Sequence, residues 1–149
     1  MTVRIRPAMA EDLAELGALK LRASLALGEH VEEILTLPEA KVVPGEHLPF
    51  VFLAEDAGQT LGFATVLRDG DGGAELEDMF VDPGHWREGI GRALLAEAVA
   101  RARALGAKLL RVTANSPGFY LACGFKIVGE VQTTFAPAPV MQLVLGPES

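Results

Sequence analysis

Residues 81–95 carry the side chains and glycines best suited to hold an anionic ligand. The segment reads Val-Asp-Pro-Gly-His-Trp-Arg-Glu-Gly-Ile-Gly-Arg-Ala-Leu-Leu, so an apolar strand ends at Asp-Pro and a long helix opens at two glycines. Glycine lets a ligand approach the backbone closely and lets the chain adopt positive φ. The unpaired N–H groups of the first helical turn, flanked by Arg87 and Arg92, therefore suit a pyrophosphate.

Two well-known phosphate loops do not fit this segment. A Walker loop needs Gly-Lys-Ser/Thr, and a dinucleotide fingerprint needs a small residue at the position that Leu94 occupies. The antiparallel hairpins expected before the segment also disfavour a nucleotide-binding domain of Rossmann type. A plainer interpretation stays open, in which Gly89 and Gly91 only allow a helix to pack tightly against a strand.

The strand before the glycine segment, residues 74–81, carries three carboxylates in four positions: Glu75, Glu77 and Asp78. In a regular strand Glu75 and Glu77 share one face, and Asp78 lies on the other. A β-bulge would disturb that alternation. Exposed acids need no functional explanation, so a solvated strand edge is the plain alternative for all three.

Composition narrows the class of protein. The chain has 149 residues, which suits one domain spanning residues 1–149. Thirteen Lys and Arg against 20 Asp and Glu give a net charge of -7, which disfavours nucleic-acid binding. No apolar run approaches the ~20 residues that a membrane span needs, and the N-terminus lacks a signal-peptide pattern. Cys123 has no disulfide partner, and the three histidines share no ligand spacing. We therefore expect a cytoplasmic protein that binds neither metal nor membrane.

The hydrophobic pattern predicts elements in the order β-α-α-β-β-β-α-β-α-β-β. This order is that of an α/β (α+β) protein whose mixed sheet has a helical crossing after the fourth strand. Residues 38–49, rich in proline, are predicted to form a loop. The predicted strands are 3–6 (ended by Pro7), 50–54, 60–67, 74–81, 108–113, 125–131 and 140–145, and the predicted helices are 10–27, 30–37, 90–105 and 117–123.

The glycine segment resembles the phosphate loop of the GNAT superfamily of acetyl-CoA-dependent N-acetyltransferases. The family pattern Gln/Arg-x-x-Gly-x-Gly/Ala falls on residues 86–91, with Trp86 where the family has Gln or Arg and with Arg87 one place later. Trp86 either stacks on the adenine of the cofactor or caps the loop. Residues 115–125 are similar to the family's Asn…Phe-Tyr-x-x-x-Gly-Phe element, with about two fewer residues between Asn115 and Tyr120. The resemblance is close over residues 74–131, and the order of strands matches along the whole chain.

The resemblance implies a mixed, mostly antiparallel sheet of about six or seven strands, flanked by about four helices and splayed between strands four and five. It also implies acetyl-CoA as co-substrate, with no metal. The pantetheine arm would lie along the fourth strand, and the segment after it would hold the pyrophosphate. The cofactor-binding residues expected from the resemblance are Met79, Phe80, Val81, Arg87, Glu88, Gly89, Ile90, Gly91, Arg92 and Asn115.

The resemblance further assigns catalytic roles. Tyr120 is the family's usual acid for the departing thiolate and is our choice for that role. The alternative is that it only packs beside Phe119 and Phe125 with its hydroxyl at the surface. Glu75 matches the position of a catalytic glutamate in some members and is our first choice of base. Glu77 is the second choice, and a water chain is a third route for the proton. Some members place a glutamate on the fifth strand, where this chain has Arg111. Cys123 is not expected to be a nucleophile, because no histidine lies near it in the sequence.

The expected function is therefore transfer of the acetyl group of acetyl-CoA to a primary amine, by direct transfer in a ternary complex. The alternative is a non-catalytic domain of the same fold that binds or senses acyl-CoA. The partner is expected to be a small-molecule amine or a peptide amine. The sequence does not identify the acceptor, and it leaves a homodimer open.

Overall fold

The structure, a computed structural model, describes residues 2–114, 116–134 and 136–146, and its elements follow the predicted order. The strands are β1 (Arg4–Pro7), β2 (Val51–Asp56), β3 (Gln59–Arg68), β4 (Ala74–Val81), β5 (Leu109–Thr113), β6 (Lys126–Gln132) and β7 (Pro137–Val144). The α-helices are α1 (Leu13–Ala26), α2 (Val31–Thr36), α3 (Ile90–Ala104) and α4 (Pro117–Ala122). Short 3₁₀ turns are formed by Ala10–Asp12, Pro38–Lys41, Gly45–Phe50 and Pro83–His85.

Predictions for three segments that contain proline are wrong. Pro7 belongs to β1, where it pairs with Phe52 at the end of the ladder, so its missing N–H does not end the strand. The predicted loop 38–49 contains two 3₁₀ turns, which accept proline in their tight geometry. β7 begins at Pro137 rather than at residue 140, because Pro137 and Pro139 continue the pairing with β6.

The strands form one mixed, mostly antiparallel sheet in the order β1-β2-β3-β4-β5-β7-β6, which confirms the predicted fold class. The registers of β1 with β2, β2 with β3, β5 with β7 and β6 with β7 are antiparallel. β4 pairs with β5 in parallel, with Ala74 opposite Leu110 and Glu75 opposite Arg111. The separation of these two strands that the family resemblance implies stays a prediction.

The described residues divide into two compact units. The first unit comprises the chain up to Thr65 together with Asp78–Glu97, and the second comprises Val66–Glu77 together with the chain from Ala98. In the first unit, α1 crosses the 3₁₀ turn Pro38–Lys41 so closely that a Cβ on Gly17 would lie 2.3 Å from the Lys41 carbonyl oxygen. Only glycine fits there. The buried core of this unit is formed by Ala8, Leu16, Leu19, Val43, Val51, Leu53 and Phe63.

The second unit contains β5, β6 and β7, with α4 leading into β6. The β5–β7 register brings two buried side chains, Val112 and Met141, opposite each other. Tyr120 of α4 and Phe125 are also buried. A hydrogen bond of 2.9 Å from the Phe125 N–H to the Tyr120 carbonyl closes the end of α4 just before β6 begins.

Candidate active site

The side chains of β4 alternate as a regular strand requires. Ala74, Leu76 and Asp78 are buried, whereas Glu75 is half-buried and Glu77 is exposed. This confirms the prediction that Glu75 and Glu77 share one face of the strand and that Asp78 lies on the other. Residues 79–81 are all half-buried, so the alternation of burial ends there. The three carboxylates of this strand thus have three different environments.

Glu75 is the carboxylate whose environment changes its acidity. Burial raises the pKa of Glu75 to about 7, and the negative charges of Glu77 and Asp69 add to the rise. The positive charge of Arg111, its neighbour across the parallel ladder, acts in the opposite direction. Partial desolvation disfavours a charged carboxylate, which is the general reason for such a shift. Glu75 is therefore present in both protonation states near neutral pH, as a general acid or base requires.

The carboxylate of Asp78 is buried and is bound by neighbouring side chains. It is 5% exposed, accepts a hydrogen bond of 2.8 Å from the Thr65 hydroxyl, and lies 3.6 Å from the Lys20 ammonium. Lys20 also donates to the Val42 carbonyl at 3.4 Å and lies 5.9 Å from the centre of the Phe80 ring. Lys20 of α1 therefore connects β4 with the chain around Val42. Sequence reasoning missed Lys20 and Thr65, and no local motif marks them.

The strip of β4 expected to hold the pantetheine arm, residues 79–81, runs close beside β3. A Cβ on Gly62 would lie 2.8 Å from the Phe80 carbonyl oxygen and 3.0 Å from the Leu94 side chain. A larger residue at this position would push the strip outward. Phe80 itself packs against Phe63 with ring centres 5.7 Å apart. The position of the strip is thus set by close packing with β3 and α3.

The loop after β4 is held by hydrogen bonds and an ion pair. The Trp86 indole N–H donates to the Val81 carbonyl at 2.8 Å, so the indole caps the loop, and its stacking on the adenine of a cofactor stays a prediction. The Asp82 carboxylate accepts from the Gly84 N–H at 3.1 Å and pairs with Arg22 of α1 at 3.2 Å. These contacts fix the loop to the end of β4 and to α1.

The backbone of this loop adopts two left-handed conformations before α3 begins. Arg87 has φ +66°, which is uncommon for a residue with a side chain, and Gly89 has φ +85°. A Cβ on Gly89 would meet no atom within 4 Å. Glycine is therefore needed at this position for the positive φ and not for close packing. The interpretation that Gly89 serves packing is therefore wrong.

The start of α3 offers the N–H groups that the sequence predicted. The Ala93 N–H donates to the Gly89 carbonyl at 3.1 Å, so the N–H groups of residues 90–92 precede this first helical bond. Arg87, Glu88 and Arg92 are exposed. Among the residues that the structure describes, no carboxylate lies within ion-pair distance of either arginine. Two exposed guanidinium groups thus flank a helix N-terminus in the sequence, and each of these groups favours an anion.

Tyr120 lies in the second unit, buried between two aromatic rings. Its ring meets Phe119 and Phe125 edge to face, with centres 5.1 and 5.3 Å apart. Burial raises the pKa of the Tyr120 phenol to about 12, with a smaller contribution from Cys123. The hydroxyl therefore keeps its proton at neutral pH and is able to donate a hydrogen bond. The predicted packing beside both phenylalanines is present, and it is compatible with a chemical role.

Each unit contains one part of the predicted site. Residues 79–81 and 87–92 lie in the first unit, and Glu75 and Tyr120 lie in the second. Asn115 lies outside the described residues.

In the described parts of the chain, no group of His, Cys, Asp and Glu residues is arranged to hold a metal ion. In the same parts, no helix has the length and apolar character to span a membrane.

Comparison with known proteins identifies relatives. The profile of the acetyltransferase (GNAT) domain matches residues 47–127. The peptidyl-lysine N-acetyltransferase YjaB of Salmonella typhimurium is 27% identical over 97% of this chain and 99% of its own length. The mycothiol acetyltransferase of Stackebrandtia nassauensis is 32% identical over 75% of this chain, but the match covers only 36% of that protein.

Solved structures have the same fold. The PaiA N-acetyltransferase of Thermoplasma acidophilum, in complex with coenzyme A, superposes with a TM-score of 0.76 at 22% identity. The match covers 97% of this chain and 99% of that one. At this level of identity the similarity establishes the fold, and the chemistry has to be argued from the residues themselves.

Proposed function

The chain belongs to the GNAT acetyltransferase domain family and is an acyltransferase, and on this premise we propose that it transfers the acetyl group of acetyl-CoA to a primary amine. In this proposal residues 1–149 act as one N-acetyltransferase domain, and transfer is direct within a ternary complex. The observation that carries the proposal is the exposed start of α3, where free N–H groups and two arginines without carboxylate partners among the described residues are available to an anion.

The anion that fits this start of α3 is a diphosphate. The N–H groups of residues 90–92 and the guanidinium groups of Arg87 and Arg92 would hold it, and Gly89 leaves open space beside the backbone. The backbone of residues 79–81 would pair with the amide-bearing arm of the same molecule. Acetyl-CoA supplies an acetyl group activated as a thioester.

Glu75 is the proposed base. An alkyl ammonium has a pKa near ~10, and a carboxylate with an ordinary pKa near ~4 is a poor acceptor of its proton. The raised pKa of Glu75, about 7, narrows this gap while leaving the carboxylate largely ionised above neutral pH. Glu75 takes one proton of the ammonium, the amine nitrogen forms a bond to the acetyl carbon, and the bond from that carbon to sulfur breaks. The second proton that the nitrogen loses goes to the departing sulfur, which leaves the amide, the thiol of coenzyme A and a protonated Glu75. Glu77, exposed two residues away, remains the second choice.

Tyr120 is the proposed donor to the departing sulfur. A thiol has a pKa near ~8.5, so a phenol with a pKa of about 12 does not give up its proton completely to the thiolate. It donates a hydrogen bond instead, and in a buried place such a bond stabilises developing negative charge. The edge-to-face contacts with Phe119 and Phe125 restrict the rotation of the ring that carries this hydroxyl.

The test is release of free thiol from acetyl-CoA in the presence of amines. The panel contains polyamines, amino acids, aminoglycosides, lysine peptides and peptides with a free N-terminus. Thiol release above the blank without amine, with the acetylated amine identified by mass spectrometry, supports the proposal. Thermal stabilisation by acetyl-CoA with no thiol release for any acceptor would overturn it in favour of a binding or sensor domain.

A further inference from the structure

Arg111 is the cation closest in register to Glu75, yet its ion pairs are made elsewhere. The two residues are paired in the parallel β4–β5 ladder. The Arg111 guanidinium donates to the carboxylate of Asp69 and lies 3.5 Å from that of Asp71. Both aspartates belong to the loop between β3 and β4. Among the described residues, the ion pairs of Arg111 are therefore with this loop and not with Glu75.

The loop that holds Arg111 is itself fixed. The Asp69 N–H donates to the Gly73 carbonyl at 3.0 Å, and the Lys108 N–H donates to the Gly72 carbonyl at 3.1 Å. A Cβ on Gly73 would lie 3.0 Å from the Leu109 side chain, so the loop lies directly against the start of β5. The run of glycine and aspartate, which the sequence marks only as a turn, therefore presents its carboxylates to β5.

We propose that Arg111 is a positioning residue for the reaction: Asp69 holds its guanidinium away from Glu75, and this leaves the Glu75 carboxylate free to accept the proton of the amine. The inference rests on the proposed role of Glu75. Were Arg111 to pair with Glu75, the ion pair would stabilise the ionised carboxylate and weaken it as a base. Asp69 of this loop and Glu75 thus compete for the guanidinium of Arg111.

The charged groups around Glu75 come from three elements. Glu77 faces it from β4, Arg111 from β5 and Asp69 from the loop, and all three affect its pKa. Asp71 binds the same guanidinium but is 61% exposed, against 27% for Asp69, so solvent screens its contribution more strongly. On the other side of Arg111, β7 places the uncharged Gln142. Asp69 is therefore the group whose removal should redirect Arg111.

The experiment measures the pKa of Glu75 directly by ¹³C NMR of protein labelled at the glutamate carboxyl carbons. The signal is assigned with Glu75→Gln. Asp69→Asn is expected to lower the pKa of Glu75 by about one unit or more, because an opposite charge within reach lowers a carboxyl pKa by ~1–3 units. Asp71→Asn is the matched control and should have a much smaller effect.

Arg111→Gln should instead raise the pKa of Glu75, and in the double variant it should reduce the effect of Asp69→Asn to the smaller part that comes from the direct charge of Asp69. This reversal of sign distinguishes an electrostatic role from damage to the fold, which would move the single variants in the same direction. An unchanged pKa in Asp69→Asn, or the same fall in the variant without Arg111, overturns the inference.

The pH profile of thiol release separates this inference from the proposed function. If Asp69→Asn lowers the pKa of Glu75 in the NMR titration and the acid limb of kcat moves with it, both stand. If the titration shifts while the acid limb stays where it was, Arg111 acts as inferred and Glu75 is not the base. In that case the choice of base is overturned and the interaction with Arg111 remains.

Discussion

Replacing Gly89 by alanine tests whether the backbone of the loop before α3 binds acetyl-CoA. Gly89 has φ +85°, and an added Cβ would meet no atom within 4 Å. The substitution therefore adds conformational strain without a steric clash. An L-residue held in the left-handed conformation costs ~1–2 kcal/mol.

The expected effect on binding follows from this strain. In the free variant the loop relaxes to other conformations, so the conformation that presents the N–H groups of residues 90–92 becomes a minor one. Binding has to restore it, and ~1–2 kcal/mol corresponds to about a 5- to 30-fold higher Kd for coenzyme A.

Fluorescence of Trp86 provides the assay, because it is the only tryptophan in the chain and its indole is bonded to Val81 beside the loop. Gly106→Ala is the matched control. Gly106 has φ +80° with equally open surroundings, and it follows the other end of α3. The helix has 15 residues, so at ~1.5 Å per residue its ends are about 22 Å apart.

The control variant should lose about 1 kcal/mol of stability, because it carries the same strain, and should bind coenzyme A as the wild type does. An unchanged Kd in Gly89→Ala would refute the reasoning, since the loop backbone would then not be what holds the diphosphate. Equal weakening in both variants would also refute it, because the effect would come from general destabilisation.

Three further predictions concern the proposed base, the proposed donor and the buried ion pair. With a pKa of about 7 for Glu75, kcat should rise about tenfold between pH 6 and pH 8, because the carboxylate ionises over this range. Glu75→Gln should lose this rise in the pH profile of kcat, and a rise that persists in the variant contradicts the assignment. Tyr120→Phe should lower kcat about 10- to 100-fold with the Kd of coenzyme A and the Tm nearly unchanged, because only the hydroxyl is removed; an equal loss of affinity would make the residue structural. Lys20→Met should lower the free energy of unfolding by about 3 kcal/mol in urea titrations, because it leaves the Asp78 charge buried without its cation. Adding Asp78→Asn should recover part of that loss, and no recovery would exclude the ion pair as its cause.

Much of the fold follows from local patterns in the sequence. The bounds of β4 are those predicted, because alternating apolar residues and the Asp-Pro turn are local signals. The predicted apolar stripe of α3 is present, with Ile90, Leu94 and Ala98 buried. The start of β7 was missed, because Pro137 and Pro139 indicate a break in any local interpretation, whereas their pairing partners lie on β6.

Some features of the candidate site also follow from local patterns, and others depend on how the chain folds. The glycine segment, the N–H groups at the start of α3 and the shared face of Glu75 and Glu77 are consequences of helix and strand geometry that spacing alone predicts. The sequence does not predict the bond from the Trp86 indole to the Val81 carbonyl, because this bond depends on how the loop turns back.

The backbone conformations of this chain follow from residues that are neighbours in the sequence, because a glycine that favours positive φ or a strand that alternates needs no distant partner. The different roles of the carboxylates arise only in the folded protein. Asp78 becomes a buried structural anion when Lys20 and Thr65 are brought to it, and Glu75 becomes a group with a pKa near neutrality when burial, Glu77 and Asp69 outweigh Arg111. Acidity depends on burial and on charges contributed by distant segments, and these are fixed only when the chain folds.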